Sequence, residues 1–191
     1  MQADRPVVMP EDEVPFRLAQ LLLLLDAVAA QDANGATLER IGYYDFLSAN
    51  PFLVVPSEGR EASLLRLAGF DPQVLAYASS SQRFTSRRER IQHDLALLVA
   101  HGYCRIRNRN GSLTYSITEA GQELGGQFTA TYATSFATAA DIVVRQLRKL
   151  TDKRLREQTA LWLRPDGPGG PAAALMSVLG PGPVLETSWE G

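Results

Sequence analysis

The chain has 191 residues, of which 45% are hydrophobic and 21% charged, with a formal net charge of -2. This length and composition suit a globular protein with one sizeable core. A single cysteine excludes an internal disulfide, and it fits a reducing compartment. Acids and prolines in Met1–Glu13 leave no apolar centre for a signal peptide, and the run Leu21–Leu25 is too short and too interrupted to span a bilayer. We therefore expect a soluble cytoplasmic protein.

Two helices are predicted at the start of the chain. The first covers Val14 to Ala30 and ends before the break at Asn34-Gly35. Thr37 caps the second, which runs to Ser48 and is stopped by the Asn-Pro pair that follows. This second helix is apolar nearly all round, so we expect it to be buried. Asp45 is the acid left inside that setting.

An insertion is predicted over residues 49–82. It contains an extended stretch at Phe52–Val55, a short helix around Glu61–Ala68, another helix after Pro72 and a polar link at Ser79–Ser81. A helix-turn-helix normally has a turn of roughly three or four residues at this place, so the insertion is unusual for that motif.

A third helix is predicted to begin at Ser86, which forms an S-x-x-E capping box with Glu89. It ends at Gly102. Arg88 falls close to the apolar stripe of this helix, where a charge needs a partner. Because Asp45 is stranded in the same way on the second helix, we expect Asp45 and Arg88 to form a structural ion pair.

A tight β-hairpin follows, because Asn110-Gly111 is a strong signal for a two-residue turn. Pairing outward from the turn joins Arg109 to Ser112 and continues to Cys104 with Ile117. Alternate residues of a strand point to opposite faces of a sheet. One face is therefore a core face, formed by Cys104, Ile106, Leu113, Tyr115 and Ile117, and the other carries Arg105, Arg107 and Arg109.

Arginine is concentrated in this part of the chain, with seven between Arg83 and Arg109 against only Glu89 and Asp94. Like charges at two-residue spacing repel, so the basic face should meet water or an anionic partner. We expect phosphate contacts without base specificity. A solvated face or a dock for an acidic protein patch is the alternative. The predicted nucleic-acid-binding residues are Arg83, Arg87, Arg90, Arg105, Arg107 and Arg109.

After the hairpin, Thr118 opens a predicted long helix with apolar residues every three or four positions from Leu124 to Leu147. Gly125-Gly126 lies inside this pattern and indicates a local kink. The stripe is longer than one small domain can cover, which favours packing against a second chain; folding back on the first helix is the alternative. The predicted partner-binding residues are Phe128, Tyr132, Phe136, Val143, Leu147 and Trp189.

A final helix is predicted from Asp152, and the prolines and glycines beyond Arg164 predict a flexible tail. The expected fold is mainly α: a winged helix-turn-helix with one β-hairpin wing, a long helix after the wing and a Pro/Gly-rich C-terminal tail. Its expected parts are an extended segment 1–13, a winged-helix domain 14–163 and the tail 164–191.

Catalytic signals are scarce. His93 and His101 are eight residues apart with no adjacent ligand set, which gives a metal site little support. No phosphate-binding loop, nucleophile elbow or serine-histidine-acid arrangement is visible in the sequence. We expect no catalytic residue, cofactor or metal, and hence a protein that is not an enzyme.

The order of four short motifs resembles the middle component of bacterial ABC-three-component systems, the Lamassu-like defence operons. The motifs are Tyr44-Asp45-Phe46-Leu47, Arg87-Arg88, Gly102-Tyr103 and the long helix bearing Tyr132. The likeness covers about residues 14–163, and the insertion and the tail depart from the family pattern. It implies a small subunit of a hetero-oligomer that joins an SMC-like ATPase to an effector, often a nuclease, in defence against phage or plasmids. Contact with DNA is a further expectation.

A winged-helix transcription regulator is the alternative function. It would place the third helix in the major groove and the arginine hairpin on phosphates or in the minor groove. The acidic sequence pI of about 5.7 and the insertion argue against it. An adjacent gene for an SMC-like ATPase would favour the bridging subunit, whereas a divergent promoter would favour the regulator.

Overall fold

The structure is a computed structural model that describes residues 13–72 and 80–163, with the backbone alone for 80–83 and Ser86. The described residues form seven α-helices, one 3-10 helix at Pro51–Leu53 and a three-stranded sheet. The helices are α1 (Val14–Gln31), α2 (Leu38–Ala49), α3 (Arg60–Leu67), α4 (Ser80–Ala100), α5 (Glu119–Gly126), α6 (Thr131–Leu147) and α7 (Asp152–Trp162). The strands are β1 (Ala36–Thr37), β2 (Cys104–Arg109) and β3 (Ser112–Ile117). The mainly helical class agrees with the prediction. The predicted N-terminal segment, except for Glu13, and the predicted tail lie outside the described residues.

The core lies around α1, which packs against α4, α5, α6 and β3. Leu21, Leu22, Leu24 and Leu25 of α1 are buried there together with Phe46 of α2. By length and apolar composition alone, α1 could cross a membrane. Its packing explains that composition, because the leucines fill the space between the surrounding helices.

The start of α2 is confirmed. The hydroxyl of Thr37 accepts a hydrogen bond from the backbone N–H of Arg40 at 3.4 Å, which satisfies one of the free N–H groups at the helix start. The helix predicted around Glu61–Ala68 is also confirmed as α3. The extended stretch predicted at Phe52–Val55 is wrong, since Pro51 opens a 3-10 helix there. Proline suits a first helical position because it has no N–H to leave unbonded.

The helix predicted from Ser86 begins six residues earlier, at Ser80. Ser86 therefore lies inside α4, and the predicted capping box is wrong. Packing explains the longer helix: the ring of Phe84 stacks on Tyr43 at 5.6 Å and meets Phe46 edge-on at 5.3 Å between ring centres. Of the predicted polar link, the two serines 80–81 belong to α4. Ser79 and the helix predicted after Pro72 fall on residues outside the described ranges.

The hairpin register is confirmed at all six predicted pairs, from Arg109↔Ser112 to Cys104↔Ile117. Asn110 and Gly111 have φ angles of 50° and 80°, as a two-residue turn of this type requires. An unpredicted third strand, β1, pairs with the outer side of β3 at Tyr115 and Thr114, so the strand order is β1-β3-β2. This strand fastens the start of α2 to the hairpin.

The single long helix predicted after the hairpin is wrong, because two helices, α5 and α6, occupy its range. Thr118 caps α5 as predicted, accepting from the Gly121 N–H at 3.1 Å. The glycine pair predicted to kink the helix instead ends it, since glycine is a weak helix former. After the break at residues 127–130, α6 packs against α1 and α2. The apolar stripe thus folds back inside the chain, which was the intramolecular alternative.

The last described helix, α7, begins at Asp152 as predicted. Thr151 caps it by accepting from the Arg154 N–H at 3.3 Å. Arg40 of α2 joins the turn between α6 and α7 to the body of the protein. Its guanidinium donates to the backbone oxygens of Leu147 (3.3 Å) and Leu150 (2.6 Å) and to the Asp152 carboxylate (3.0 Å).

Candidate functional site

The hairpin projects from the body of the protein, and we call residues 104–117 the basic hairpin. Strand β1 supports it only at Thr114 and Tyr115, and residues 105–113 are all exposed. Helices α1 and α4 also pack against the base of the hairpin, where Cys104 and Ile117 are buried, but they leave residues 105–113 exposed. The distal hairpin is therefore accessible to a binding partner.

Arg105, Arg107 and Arg109 are exposed on β2, and no described carboxylate lies within ion-pair distance of them. The Arg105 side chain donates to the Ser116 hydroxyl at 3.1 Å, which orients it along the sheet. Near the hairpin, a hydrogen bond from the Asn34 backbone N–H lowers the pKa of Asp32, and the charges of Arg109 and Arg148 act in the same direction. Three exposed cations of one strand thus give this part of the hairpin a positively charged surface.

The opposite face of the hairpin differs from the prediction. Cys104 and Ile117 are buried at its base as expected, and Tyr115 is half-buried. Ile106 and Leu113 are 45% and 54% exposed, so the predicted core face is wrong at these two positions. Leu113 lies one residue beyond Thr114, the last hairpin residue that β1 pairs with, and Ile106 lies on β2, the edge strand on the side of β3 away from β1.

The prediction that Asp45 pairs with Arg88 is wrong, because a different arginine binds Asp45. Asp45 instead binds the neighbouring Arg87, through contacts of 2.7 Å and 3.0 Å between the guanidinium and the two carboxylate oxygens. Successive residues of a helix differ by about 100° in direction, so two adjacent arginines do not both reach the Asp45 carboxylate. The exposed Arg88 guanidinium lies over the rings of Tyr43 and Phe84, at 5.8 Å and 6.0 Å.

The α4 arginines are less accessible than those of the hairpin. Arg87 is turned toward α2, with 23% of its side chain exposed, and it also donates to Gln20 at 3.3 Å. Its predicted nucleic-acid contact does not fit this placement, because its donors point into the protein. Arg90 is half-buried. The side chain of Arg83 lies outside the described residues.

A second buried ion pair was missed by the sequence reasoning. Arg17 of α1 binds both carboxylate oxygens of Asp94 in α4, at 2.8 Å and 3.0 Å, and Asp94 is only 3% exposed. Seven residues separate Arg87 from Asp94, which is about two helical turns, so both lie on one face of α4. The available signal was an acid within the apolar stripe of α4.

The predicted partner-binding residues divide into two groups. Phe136, Val143 and Leu147 are at most 2% exposed in the core formed by α6 with α1 and α2, so their predicted contact with a partner is wrong. Tyr132 is 46% exposed, and its hydroxyl accepts a hydrogen bond from the buried Gln20 side chain. Phe128 is half-buried. Trp189 lies outside the described residues.

A second group of cations was also missed, at the turn between α6 and α7. Six lysines and arginines occur between Arg145 and Arg156, against the single acid Asp152. The signal in the sequence was this local excess of lysine and arginine. Arg148, Lys149, Lys153 and Arg154 are all exposed.

Cys104 and the histidines show no arrangement for metal binding in the described residues, where no group of three or more His, Cys, Asp or Glu side chains could hold an ion. Burial raises the pKa of the Cys104 thiol to about 11, so the thiol stays protonated near neutral pH.

The described part of the chain is thus a mainly helical protein that exposes a charged hairpin for binding. Residues 68–161, just under half of the chain, match the family model of ABC-three component (ABC-3C) system Middle Component 2. The match confirms the family resemblance: this stretch is similar to the middle component of an ABC-three-component system. The matched stretch includes α4, the hairpin and α6. No curated protein and no solved structure matches the chain.

Proposed function

We propose that this chain is the non-catalytic bridging subunit of a bacterial defence complex, where it links an SMC-like ATPase to an effector in the cytoplasm. The observation that carries the proposal is the match of residues 68–161 to a middle component, because a component of a three-part system has partner subunits. Two exposed surfaces are available to partners: the distal basic hairpin and the surface around Tyr132.

The surface around Tyr132 suits a protein partner. Its ring packs against Phe16 with 4.9 Å between ring centres, and Val14 at the start of α1 is 39% exposed. Exposed aromatic side chains are enriched in protein interfaces, because they bury a large area at a small cost in conformational entropy. Of the predicted partner-binding residues, Tyr132 is therefore the one that we propose contacts a protein partner.

The bridging role is tested by assembly. The chain would be co-expressed with tagged products of the neighbouring genes, and complex size would be measured with and without it. We expect the ATPase and effector to copurify only when the chain is present. A chain that stays monomeric and binds neither product would contradict the proposal. Tyr132→Ala should weaken assembly, while Leu161→Ala, which alters a similarly exposed residue of α7, serves as the control.

The basic hairpin contacts nucleic-acid phosphate in this proposal. Arg105, Arg107 and Arg109 are exposed, and among described residues they have no carboxylate partner. Phosphate carries charge but no base identity, so the contacts tolerate any sequence. Each phosphate neutralised adds about 0.9 to the slope of log binding constant against log salt for duplex DNA.

Reversing these three arginines to glutamate tests the contact. We expect DNA binding to weaken and its salt slope to fall, while assembly with the partner subunits is kept. If assembly is lost and DNA binding by the remaining subunits is unchanged, the hairpin is a protein interface instead. That outcome would favour the acidic protein patch over nucleic acid.

A winged-helix transcription regulator is the second candidate. One observation favours it: β1 joins the hairpin and precedes α2, so the order α1, β1, α2, α4 and hairpin follows the winged-helix pattern, with the 3-10 helix and α3 inserted between α2 and α4. A regulator would prefer the promoter of its own operon over unrelated DNA, because base contacts in a groove add sequence preference. Equal affinity for both DNAs would exclude this candidate.

A further inference from the structure

The turn between α6 and α7 carries four cations, and we call Arg148, Lys149, Lys153 and Arg154 the basic turn. All four are exposed, and no carboxylate of the described residues forms an ion pair with them. The other charges of the same stretch are paired. Arg145 binds Glu61, Arg156 binds Glu39 and Asp152 binds Arg40.

The helix dipole explains the presence of only two of the four cations in the basic turn. Arg148 and Lys149 follow the C-terminal end of α6, where the helix dipole favours positive charge. Lys153 and Arg154 lie in the first turn of α7, where the dipole is positive and disfavours cations. Their presence at that end calls for another source of stabilisation, and an anionic partner would supply it.

The fold connects the basic turn to the basic hairpin through the start of α2, by two contacts. Arg40 donates to the backbone oxygen of Leu150, which holds the turn against the first turn of α2. Strand β1, just before α2, pairs Thr37 with Thr114 of the hairpin, and Thr114 in turn pairs with Arg107. The start of α2 therefore connects both basic elements. Asp32 lies within the electrostatic range of both, since Arg109 and Arg148 each help to lower its pKa, after the larger effect of the Asn34 N–H.

We propose that the basic turn and the basic hairpin together bind the phosphate backbone of one nucleic-acid duplex. The proposal rests on the phosphate contact proposed for the hairpin and extends its footprint to a second element. Seven cations are then available, namely Arg105, Arg107 and Arg109 with the four of the turn. A duplex presents one negative charge per ~1.7 Å of its axis, a density that two neighbouring basic elements can match.

The composition of the two elements favours a duplex over a single strand. Sites for single strands combine cations with exposed aromatic side chains, on which the bases stack. No exposed residue of the basic turn or of the basic hairpin is aromatic, and the single aromatic of the hairpin strands, Tyr115, is half-buried. Charge without stacking platforms fits recognition of a phosphate backbone.

The test measures binding of the full-length chain to a short labelled DNA duplex by fluorescence anisotropy over a series of salt concentrations. The variant Lys149→Gln/Lys153→Gln should bind more weakly and lose about 1.8 from the salt slope, at about 0.9 for each contact. The control Arg60→Gln/Arg66→Gln removes the same charge from exposed positions of α3 and should keep the wild-type slope. Thermal unfolding of each variant checks that the fold is retained.

The outcomes separate this inference from the function on which it rests. If reversal of the hairpin arginines weakens binding while the turn variant behaves as its control does, the turn has no part in the site and the inference fails alone. If neither change affects binding, or the wild-type chain does not bind DNA, both proposals fail. If the turn variant weakens DNA binding but reversal of the hairpin arginines does not, the proposal that both elements bind one duplex is overturned. Tighter binding to the matching single strand would overturn the choice of a duplex.

Discussion

Arg87 and Asp45 join α4 to α2 through two hydrogen bonds, of 2.7 Å and 3.0 Å, although 42 positions separate them in the chain. Asp45 is 5% exposed, and Gln20 of α1 accepts a further bond from the same guanidinium. Three helices of the core therefore meet at one arginine. Its neighbour Arg88 is exposed, and its guanidinium lies over the rings of Tyr43 and Phe84. The two adjacent arginines therefore provide a matched comparison.

We expect Arg87→Ala to lower the free energy of unfolding by about 3 kcal/mol, since it leaves the Asp45 carboxylate buried without its partner. This is the lower end of the usual range, because water reaches part of the Arg87 side chain. Arg88→Ala should cost about 0.5 to 1 kcal/mol, the value of an exposed cation–π contact. Urea unfolding of both variants measures the difference. Equal losses would show that the pair with Asp45 contributes little.

Gly121 of α5 lies against the base of the hairpin with no room for a side chain. A Cβ atom there would lie 2.3 Å from the Tyr103 carbonyl oxygen and 2.8 Å from Cγ1 of Ile117. We expect Gly121→Ala to lower the free energy of unfolding by about 1 to 3 kcal/mol, because the backbone must shift. Gly126→Ala, where no neighbouring atom lies within 4 Å, should be neutral or slightly stabilising. Thermal unfolding distinguishes the two, and similar melting temperatures would contradict the close packing.

Arg40 holds the turn between α6 and α7 through the backbone oxygens of Leu147 and Leu150. We expect Arg40→Met to speed amide hydrogen exchange in α7, since the Leu150 oxygen loses its donor and a partly buried acceptor left unbonded costs about 1 to 3 kcal/mol, whereas the Leu147 oxygen keeps its bond from the Leu150 N–H. Exchange followed by mass spectrometry reports this for each helix. Arg156→Met, which removes a fully exposed partner of Glu39, is the control and should leave α7 protected. Unchanged exchange in the Arg40 variant would mean that apolar packing, through residues such as Leu155, holds α7 alone.

The Cys104 thiol should resist alkylation at pH 8. Its pKa of about 11 leaves about one thiol in a thousand ionised at that pH, and the thiolate is the reactive form. Iodoacetamide labelling of the folded chain should therefore be slow, whereas labelling in urea should be fast. Because the folded pKa exceeds the ordinary value of 9.0, this thiol stabilises the fold below pH 9, and the contribution is lost as the pH rises to about 11. Rapid labelling of the native chain at pH 8 would contradict this burial.

Local signals in the sequence were sufficient to predict several secondary-structure elements. The pair Asn110-Gly111 determined the hairpin register, because a two-residue turn permits only one alignment of its strands. The hydroxyls of Thr37 and Thr118 marked two helix starts, since each satisfies a backbone N–H within three residues. These features depend on neighbours a few positions away, which the sequence displays directly.

The tertiary structure decided what depends on distant parts of the chain. Whether Arg87 or Arg88 meets Asp45 depends on how α4 is rotated against α2, which is determined by the packing of both helices. The exposure of Ile106 and Leu113 depends on which elements reach the edge strand β2 and the distal end of β3, and the alternation of the strand contains no such information. The basic turn is connected to the hairpin only because Arg40 contacts Leu150, 110 positions away, and Thr37 of β1 pairs with Thr114, 77 positions away. Long-range contacts of this kind leave no periodic signal in one sequence, so the three-dimensional packing alone determines them.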